Sequence, residues 1–452
     1  MSILLNADSY KASHYLQYPD GTEYISSYIE ARSDKSYTYS VFFGLQMILD
    51  KLKCPTIPEV IQANEILTSH GFEFNLKGWL DIAALGYLPI RIQAVKEGLI
   101  VPNHNVLVQV INTDPRFPWL TSFVETMLLR IWYPITVATR SKFIKNIILQ
   151  SLYETGDPSL INFKLHDFGF RGVSSEESGK IGGTAHLVNF MGTDTLGALV
   201  TAREVYGETM AGFSIPAAEH STITSWGKNS EFQAYENMLD KFAKPGRLVA
   251  VVSDSYDLMY AVKHIWGYAL KDKILESGAT LVVRPDSGDP TLIPLEVIEQ
   301  LARDFGTVTN DKGYKVLPSC IRVIQGDGVN ERSIKECLEN INVEGFSTDN
   351  ITFGMGGELL QTVNRDTLGF AMKASAKKDA SGFWGDIYKA PKTDPNKVSK
   401  KGRLALIKDE DGFKTVPEIE VGKNKNLLED VWIDGKTLRT QTLANIRELS
   451  NQ

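Results

Sequence analysis

Cysteine is scarce. The 452 residues hold three, Cys54, Cys320 and Cys337, with no CxxC and no zinc-ligand spacing, and three cannot all pair with one another. A disulfide framework and a thiolate zinc site are thereby excluded, and a reduced, cytosolic setting is expected. No apolar run approaches bilayer length, and the opening MSILLNADSYKASHY meets Asp8 and Lys11 before a signal-peptide core could form. The expectation is a chain neither secreted by that route nor membrane-spanning. Positive charge is not in excess either: a net charge of -7 gives no global attraction to nucleic acid or anionic membrane. Any anionic ligand must be met by local basic groups. Internal repeats, low-complexity tracts and a GxxxxGK[ST] phosphate loop are also missing.

What is present is an ordinary globular composition, 43% hydrophobic and 23% charged, over more length than one core normally uses. Four apolar segments, LVAVVSDSYD (248 to 257), LVVRPDSGDP (281 to 290), IRVIQGDG (321 to 328) and NITFGMGG (350 to 357), each end in a charged or glycine-rich cluster. Their β-branched runs are apolar on both faces, as in buried parallel strands whose C-terminal ends carry Asp, Arg and Gly. Steps of 29 residues from Asp257 to Asp286 and 41 from Asp286 to Asp327 leave room for one helix and two loops per repeat. This is the rhythm of an α/β barrel or doubly wound sheet. Leu295, Ile298, Leu301, Ala302 and Phe305 share a helical face in one gap, and Leu258, Val262, Ile265, Trp266 and Ala269 share one in another. The stretch 120 to 150 also reads as helical, and KLHDFGFRG (164 to 172) as an earlier strand end.

Segments 22 to 32 and 88 to 112 alternate apolar and polar residues with Gly, Pro and Asn punctuation, and 368 to 375, 403 to 408 and 413 to 421 look alike. They predict a β-rich unit built from both chain ends, 1–117 and 365–452, around a barrel at 118–364. The linker-like stretch KAPKTDPNKVSKKGR gathers Lys389, Lys392, Lys397, Lys400, Lys401 and Arg403 against Asp394 alone. It is either a solvated surface loop or, if the ligand is polyanionic, a phosphate-binding flap.

Single motifs are ambiguous. Arg284 and Asp286 project to one side where a sheet ends, fit to hold phosphate, ribose or Mg²⁺, or simply to close a turn as a salt bridge. Ser253, Asp254 and Asp257 end the preceding strand, and Asp327 sits between glycines that admit close backbone approach. Each Asp also suits a turn or helix cap. FGMGG at 353 to 357 could cradle phosphate but lacks the last glycine of GxGxxG, where Leu359 stands. DFG at 167 to 169 has no kinase companions. Glu219 and His220, adjacent in SIPAAEHST, suit a general base or phosphoryl acceptor, or a structural helix start.

Taken together, DSYKASHY (8 to 15), KLHDFGFRGVSS (164 to 175), HLVNFMGTDT (186 to 195), SIPAAEHSTIT (214 to 224), VVSDSYD (251 to 257), VVRPDSG (282 to 288), RVIQGDGV (322 to 329) and DPNKVSKKGRL (394 to 404) resemble the nicotinamide phosphoribosyltransferase family. The resemblance implies the irregular α/β barrel of type II phosphoribosyltransferases with a β-rich second domain. It also implies a homodimer with shared active sites, and transfer of phosphoribosyl from phosphoribosyl diphosphate to nicotinamide with Mg²⁺. The nearest alternative is a nicotinate-specific relative.

Carried over residue by residue, Phe168 and Tyr10, the latter from a partner subunit, sandwich the nicotinamide ring. Asp194 accepts the carboxamide N–H, and Arg171 lies near the amide. Asp286 and Arg284 bind ribose and Mg²⁺ with Asp257; Ser214, Ser253, Arg322, Gly326, Asp327, Gly356 and Gly357 line the phosphoribosyl channel. Arg32, Arg365 and Lys373 from the partner subunit hold the 5'-phosphate, and Lys389 and Lys397 the diphosphate side. ATP transiently phosphorylates His220, which Glu219 and Asp257 orient. The chain departs from the family pattern at Met355 and Glu358, and in a shorter loop after Arg32.

Overall fold

A computed structural model of the chain describes residues 2–393 and 398–452. Two compact units emerge, one of residues up to Thr139 with Glu204–Glu208 and Asn364–Gln452, the other of Arg140–Arg203 and Thr209–Val363. Residues 118–139 thus belong with the first unit. Aromatic packing explains this, because Trp119 and Phe123 set their rings edge-on against Trp79, at 4.9 and 4.8 Å between centroids. Among the described residues no helix is long and apolar enough to cross a membrane.

The second unit is built on six parallel strands in the order Gly192–Thr193, Leu165–Asp167, Ile351–Met355, Ile321–Gln325, Thr280–Arg284 and Leu248–Val252. The four apolar segments supply four of these strands. Val249, Val251, Val283, Val323 and Phe353 are almost wholly excluded from solvent, as a sheet covered on both faces requires. Helix Ile293–Phe305 buries Val297, Ile298 and Leu301. The preceding gap winds as a short α turn, Leu258–Tyr260, then a π-helix, Ala261–Ala269. Its Trp266 stacks on Tyr235 at 4.5 Å and donates its indole N–H to the Ser253 hydroxyl.

One stretch without regular structure joins the two edges of this sheet. Phe213 N–H donates to the Met191 carbonyl at 2.7 Å on one edge, and Ala250 N–H donates to the Pro216 carbonyl at 2.9 Å on the other. Parallel bridges pair Phe213 with Gly192 and Ala217 with Ala250. Residues 213–217 therefore close the sheet into an irregular barrel, and Glu219 and His220 follow directly.

The first unit centres on a seven-stranded sheet in the order Trp384–Asp386, Ala371–Asp379, Thr22–Glu30, Val106–Asn112, Ile90–Ala94, Glu429–Ile433 and Lys436–Thr437. Its pairings are antiparallel, with Lys373 opposite Tyr28. Leu404–Asp409 and Gly412–Pro417 form a separate hairpin. Both chain ends contribute, as the alternating segments predict.

Candidate active site

The C-terminal ends of the barrel strands surround a cavity of about 860 Å³. Parallel strands all end on one side, so the residues that follow them converge there. Phe168 follows Leu165–Asp167, with its N–H donating to the Met355 carbonyl at 3.0 Å. Its ring rests on Gly354, where a Cβ would meet ring carbon Cε2 at 2.0 Å. The Arg284 guanidinium lies 5.7 Å from the ring centroid. Asp194 follows Gly192–Thr193, donates its backbone N–H to the Asp167 carbonyl at 2.9 Å, and accepts a hydrogen bond from the Ser214 hydroxyl. Its side chain has no cationic partner among the described residues, so a negatively charged acceptor stands beside an aromatic face. Arg171, Gly326, Asp327, Gly356 and Gly357 line the same cavity.

His220 opens a short helix, His220–Thr224, and 47% of its side chain is exposed to the cavity side. Its Nε2 lies 3.4 Å from Asp286 Oδ2 and 3.7 Å from Asp254 Oδ1, while Nδ1 is 3.3 Å from the Ser255 hydroxyl. Asp286 is tied on its other oxygen by Arg284, whose Nε and Nη2 donate at 3.0 and 2.8 Å. The salt bridge and the site are thus the same feature. Asp254 accepts from the Ser287 hydroxyl through Oδ2, and its buried Oδ1 has no hydrogen-bond partner.

Several expected roles do not match these positions. Asp257 lies outside the cavity lining and caps a helix, accepting from Tyr260 N–H at 2.9 Å; Asp254, three residues earlier, is the carboxylate that faces His220. Glu219 lines the cavity, but its carboxylate accepts from the Ser221 hydroxyl and caps the His220 helix. Ser253 is fully buried, donating to the Val251 carbonyl and accepting from Trp266. Arg322 sits at the far end of its strand, where Nη1 donates to the carbonyls of Leu317, Pro318 and Ile321. Ser214 donates its hydroxyl to Asp194 and is not among the residues lining the cavity. Met355 is buried in the barrel, and Glu358 belongs to the turn Gly357–Leu360.

The remaining expected residues lie in the first unit. Arg32, Arg365 and Lys373 line a second cavity of about 440 Å³, with Lys35 and Glu125. The Arg32 Nε is buried without a hydrogen-bond partner. Burial pushes the Lys373 ammonium below its usual range; Glu125 opposes this, and the charges of Arg32, Lys389 and Arg365 reinforce it. Glu125 is itself neutralised by the buried Lys11 at 2.6 Å. Asp366 also lines this cavity, 3.7 Å from Arg365 Nη2. Lys389 is exposed and in electrostatic reach of Lys373, and Lys397 lies outside the described residues. Tyr10 presents a half-exposed ring, edge-on to His14 at 5.0 Å.

A family model described as the nicotinate phosphoribosyltransferase (NAPRTase) family matches residues 163–432, and the nicotinamide phosphoribosyltransferase N-terminal domain matches residues 2–92. Nicotinamide phosphoribosyltransferase of Xanthomonas campestris is 50% identical over 458 residues, spanning 99% of this chain and 97% of that protein. The chain belongs to the nicotinamide phosphoribosyltransferase family. A second relative of that name, from Acinetobacter baylyi, is 31% identical over 98% of this chain and 96% of its own length. The fold is shared with a nicotinate-nucleotide pyrophosphorylase from Pyrococcus furiosus, at a TM-score of 0.66 and 16% identity, covering 99% of this chain and 95% of that one. Human nicotinic acid phosphoribosyltransferase shares it too, at a TM-score of 0.59 and 17% identity over 98% of this chain and 92% of that one.

Proposed function

We propose that this protein transfers phosphoribosyl from phosphoribosyl diphosphate to nicotinamide, forming nicotinamide mononucleotide and diphosphate, a salvage step of NAD synthesis. One observation carries the choice of base: the Asp194 carboxylate has no cationic partner among the described residues and shares a cavity with the Phe168 ring. An amide N–H is attracted there, and the carboxylate of nicotinate is repelled. The relatives named nicotinamide phosphoribosyltransferase support the same base.

In the reaction the ring nitrogen of nicotinamide forms a bond to C1 of the ribose while the C1–O bond to diphosphate breaks, its electron pair leaving with that oxygen. No protein nucleophile is needed. The chain contributes positioning and compensation of leaving-group charge. Arg284, held by Asp286, faces the sugar side, and the backbone of Gly326, Gly356 and Gly357 admits phosphate closely. Mg²⁺ commonly takes one or two carboxylates plus substrate phosphates, and Asp254 and Asp286, two carboxylates that reach within 3.7 and 3.4 Å of His220 Nε2, suit that donor set. When bound, the ion would neutralise diphosphate charge.

ATP is a co-substrate, its terminal phosphoryl passing to a ring nitrogen of His220 as the bond to the bridging oxygen breaks and ADP leaves, and then to water, which releases phosphate and the free imidazole. Asp254, Asp286 and Ser255 orient the imidazole. A second copy of the chain completes the site, with Tyr10 of the partner subunit facing Phe168 and the Arg32, Arg365 and Lys373 cavity taking the 5'-phosphate. A cytosolic location fits the cysteine usage.

The test is mononucleotide formation from phosphoribosyl diphosphate and Mg²⁺, with nicotinamide or nicotinate, each with and without ATP. Product from nicotinamide alone, increased by ATP, is expected. Product from nicotinate alone would move the assignment to the nicotinate-specific relatives, and a His220→Ala protein with undiminished ATP stimulation would remove the phosphohistidine.

A further inference from the structure

Asp167, first residue of the DFG triplet, ends the barrel strand Leu165–Asp167 and is completely buried. It is not among the residues lining the cavity of about 860 Å³, whereas Phe168, next to it in the chain, and Asp194, on the adjoining strand end, both are. Its Oδ1 accepts the Gly169 N–H at 2.8 Å, which fixes the turn carrying Phe168. Its carbonyl accepts the Asp194 N–H at 2.9 Å. Its Oδ2 lies 3.5 Å from the Thr193 hydroxyl, and that same hydroxyl accepts the Thr195 N–H at 3.0 Å, bracketing Asp194 between two anchored threonines. The register of the two strands, Asp167 opposite Thr193, makes these contacts local.

A buried carboxylate is costly, and here no cation is among its hydrogen-bond partners. Structural demand alone would be met by an apolar residue at a strand end packed against small neighbours: a Cβ on Gly183 would come within 3.2 Å of Oδ2. The acceptor oxygens are what an apolar side chain lacks. They tie the turn that carries the ring to Thr193, the residue before Asp194.

We infer that Asp167 is a positioning residue for the base: it sets the relative placement of the Phe168 ring and the Asp194 carboxylate, so that both meet one planar amide ligand. This rests on the proposed function, since the ligand is the nicotinamide of that reading. Losing a hydrogen bond to a buried charged acceptor costs binding roughly tenfold or more.

The experiment compares Asp167→Ala and Asp167→Asn in the full chain by steady-state kinetics and by amide hydrogen exchange without substrate. The Asn variant keeps an oxygen for Gly169 N–H, so it separates lost geometry from lost folding. The expected result for Asp167→Ala is a KM for nicotinamide raised about tenfold, with the KM for phosphoribosyl diphosphate changed less than about twofold, and faster exchange in the peptides carrying Gly169 and Asp194. Asp167→Asn should recover most of both effects. Equal rises in the two KM values, an unchanged nicotinamide KM, or unaltered exchange in the Ala variant would overturn the inference. Wild-type protein inactive with nicotinamide would overturn the proposed function instead, and the exchange data would still judge the positioning role.

Discussion

The ring of Phe168 lies on the bare Cα of Gly354, so closely that a single methyl there would sit 2.0 Å from ring carbon Cε2. The ring cannot hold its position above any other residue. Gly354→Ala should displace it, at an overpacking cost of about 1–3 kcal/mol. The expected outcome is a nicotinamide KM raised by about tenfold with the phosphoribosyl diphosphate KM little changed, read by initial rates.

Asp254 and Asp257 occupy one SDSYD segment but do different work. Asp254→Asn removes a carboxylate 3.7 Å from His220, and should reduce the ATP stimulation proposed above. Asp257→Asn keeps a capping side chain and should leave that stimulation intact, while Asp257→Ala should cost about 1 kcal/mol of stability in a thermal melt. Equal ATP responses in the Asp254 and Asp257 variants would contradict this division.

Arg322 should matter to folding rather than to catalysis. Arg322→Ala removes the guanidinium donor from three carbonyls, of which that of Pro318 keeps the Ile321 N–H, for a loss of about 1–3 kcal/mol. Denaturant titration should show the loss, and the KM for phosphoribosyl diphosphate in the folded fraction should be unchanged.

Asp167 predicts a pH dependence of stability. Burial raises its carboxyl from 3.8 to about 6, opposed by hydrogen bonds and reinforced by the Asp194 charge. The folded state therefore holds this proton more tightly than the unfolded chain does. Its contribution is fully present below the unfolded value of 3.8 and is lost as pH rises through about 6. A shift of that size corresponds to about 3 kcal/mol. Asp167→Asn, which cannot ionise, should gain stability relative to the parent between pH 4 and 7, measured by unfolding at each pH; a constant difference would refute the shift.

Much of the barrel was legible because its strands are continuous β-branched runs that end in charged or glycine clusters, and those clusters are the cavity rim. Phe168, Asp194, His220, Arg284 and Asp286 come together there. The closing stretch 213–217 was not legible as structure. It contains Pro216, forms only isolated bridges, and pairs with residues distant in sequence, so no local period marks it. The choice between Asp254 and Asp257 turned on a cap: Asp257 immediately precedes the helical Leu258, a signal that was present in the sequence. The position of Arg322 along its strand is not legible from the motif alone. The residue lies five residues before Asp327, roughly 16 Å in extended chain, toward the opposite mouth of the barrel.

The stretch that joins the two sheet edges hands over directly to Glu219 and His220. An unsealed barrel would hold its strands and helices yet have no imidazole at its rim. The phosphoryl chemistry proposed for His220 therefore depends on this seam, and any ATP-dependent activity should return during refolding only once the seam has closed.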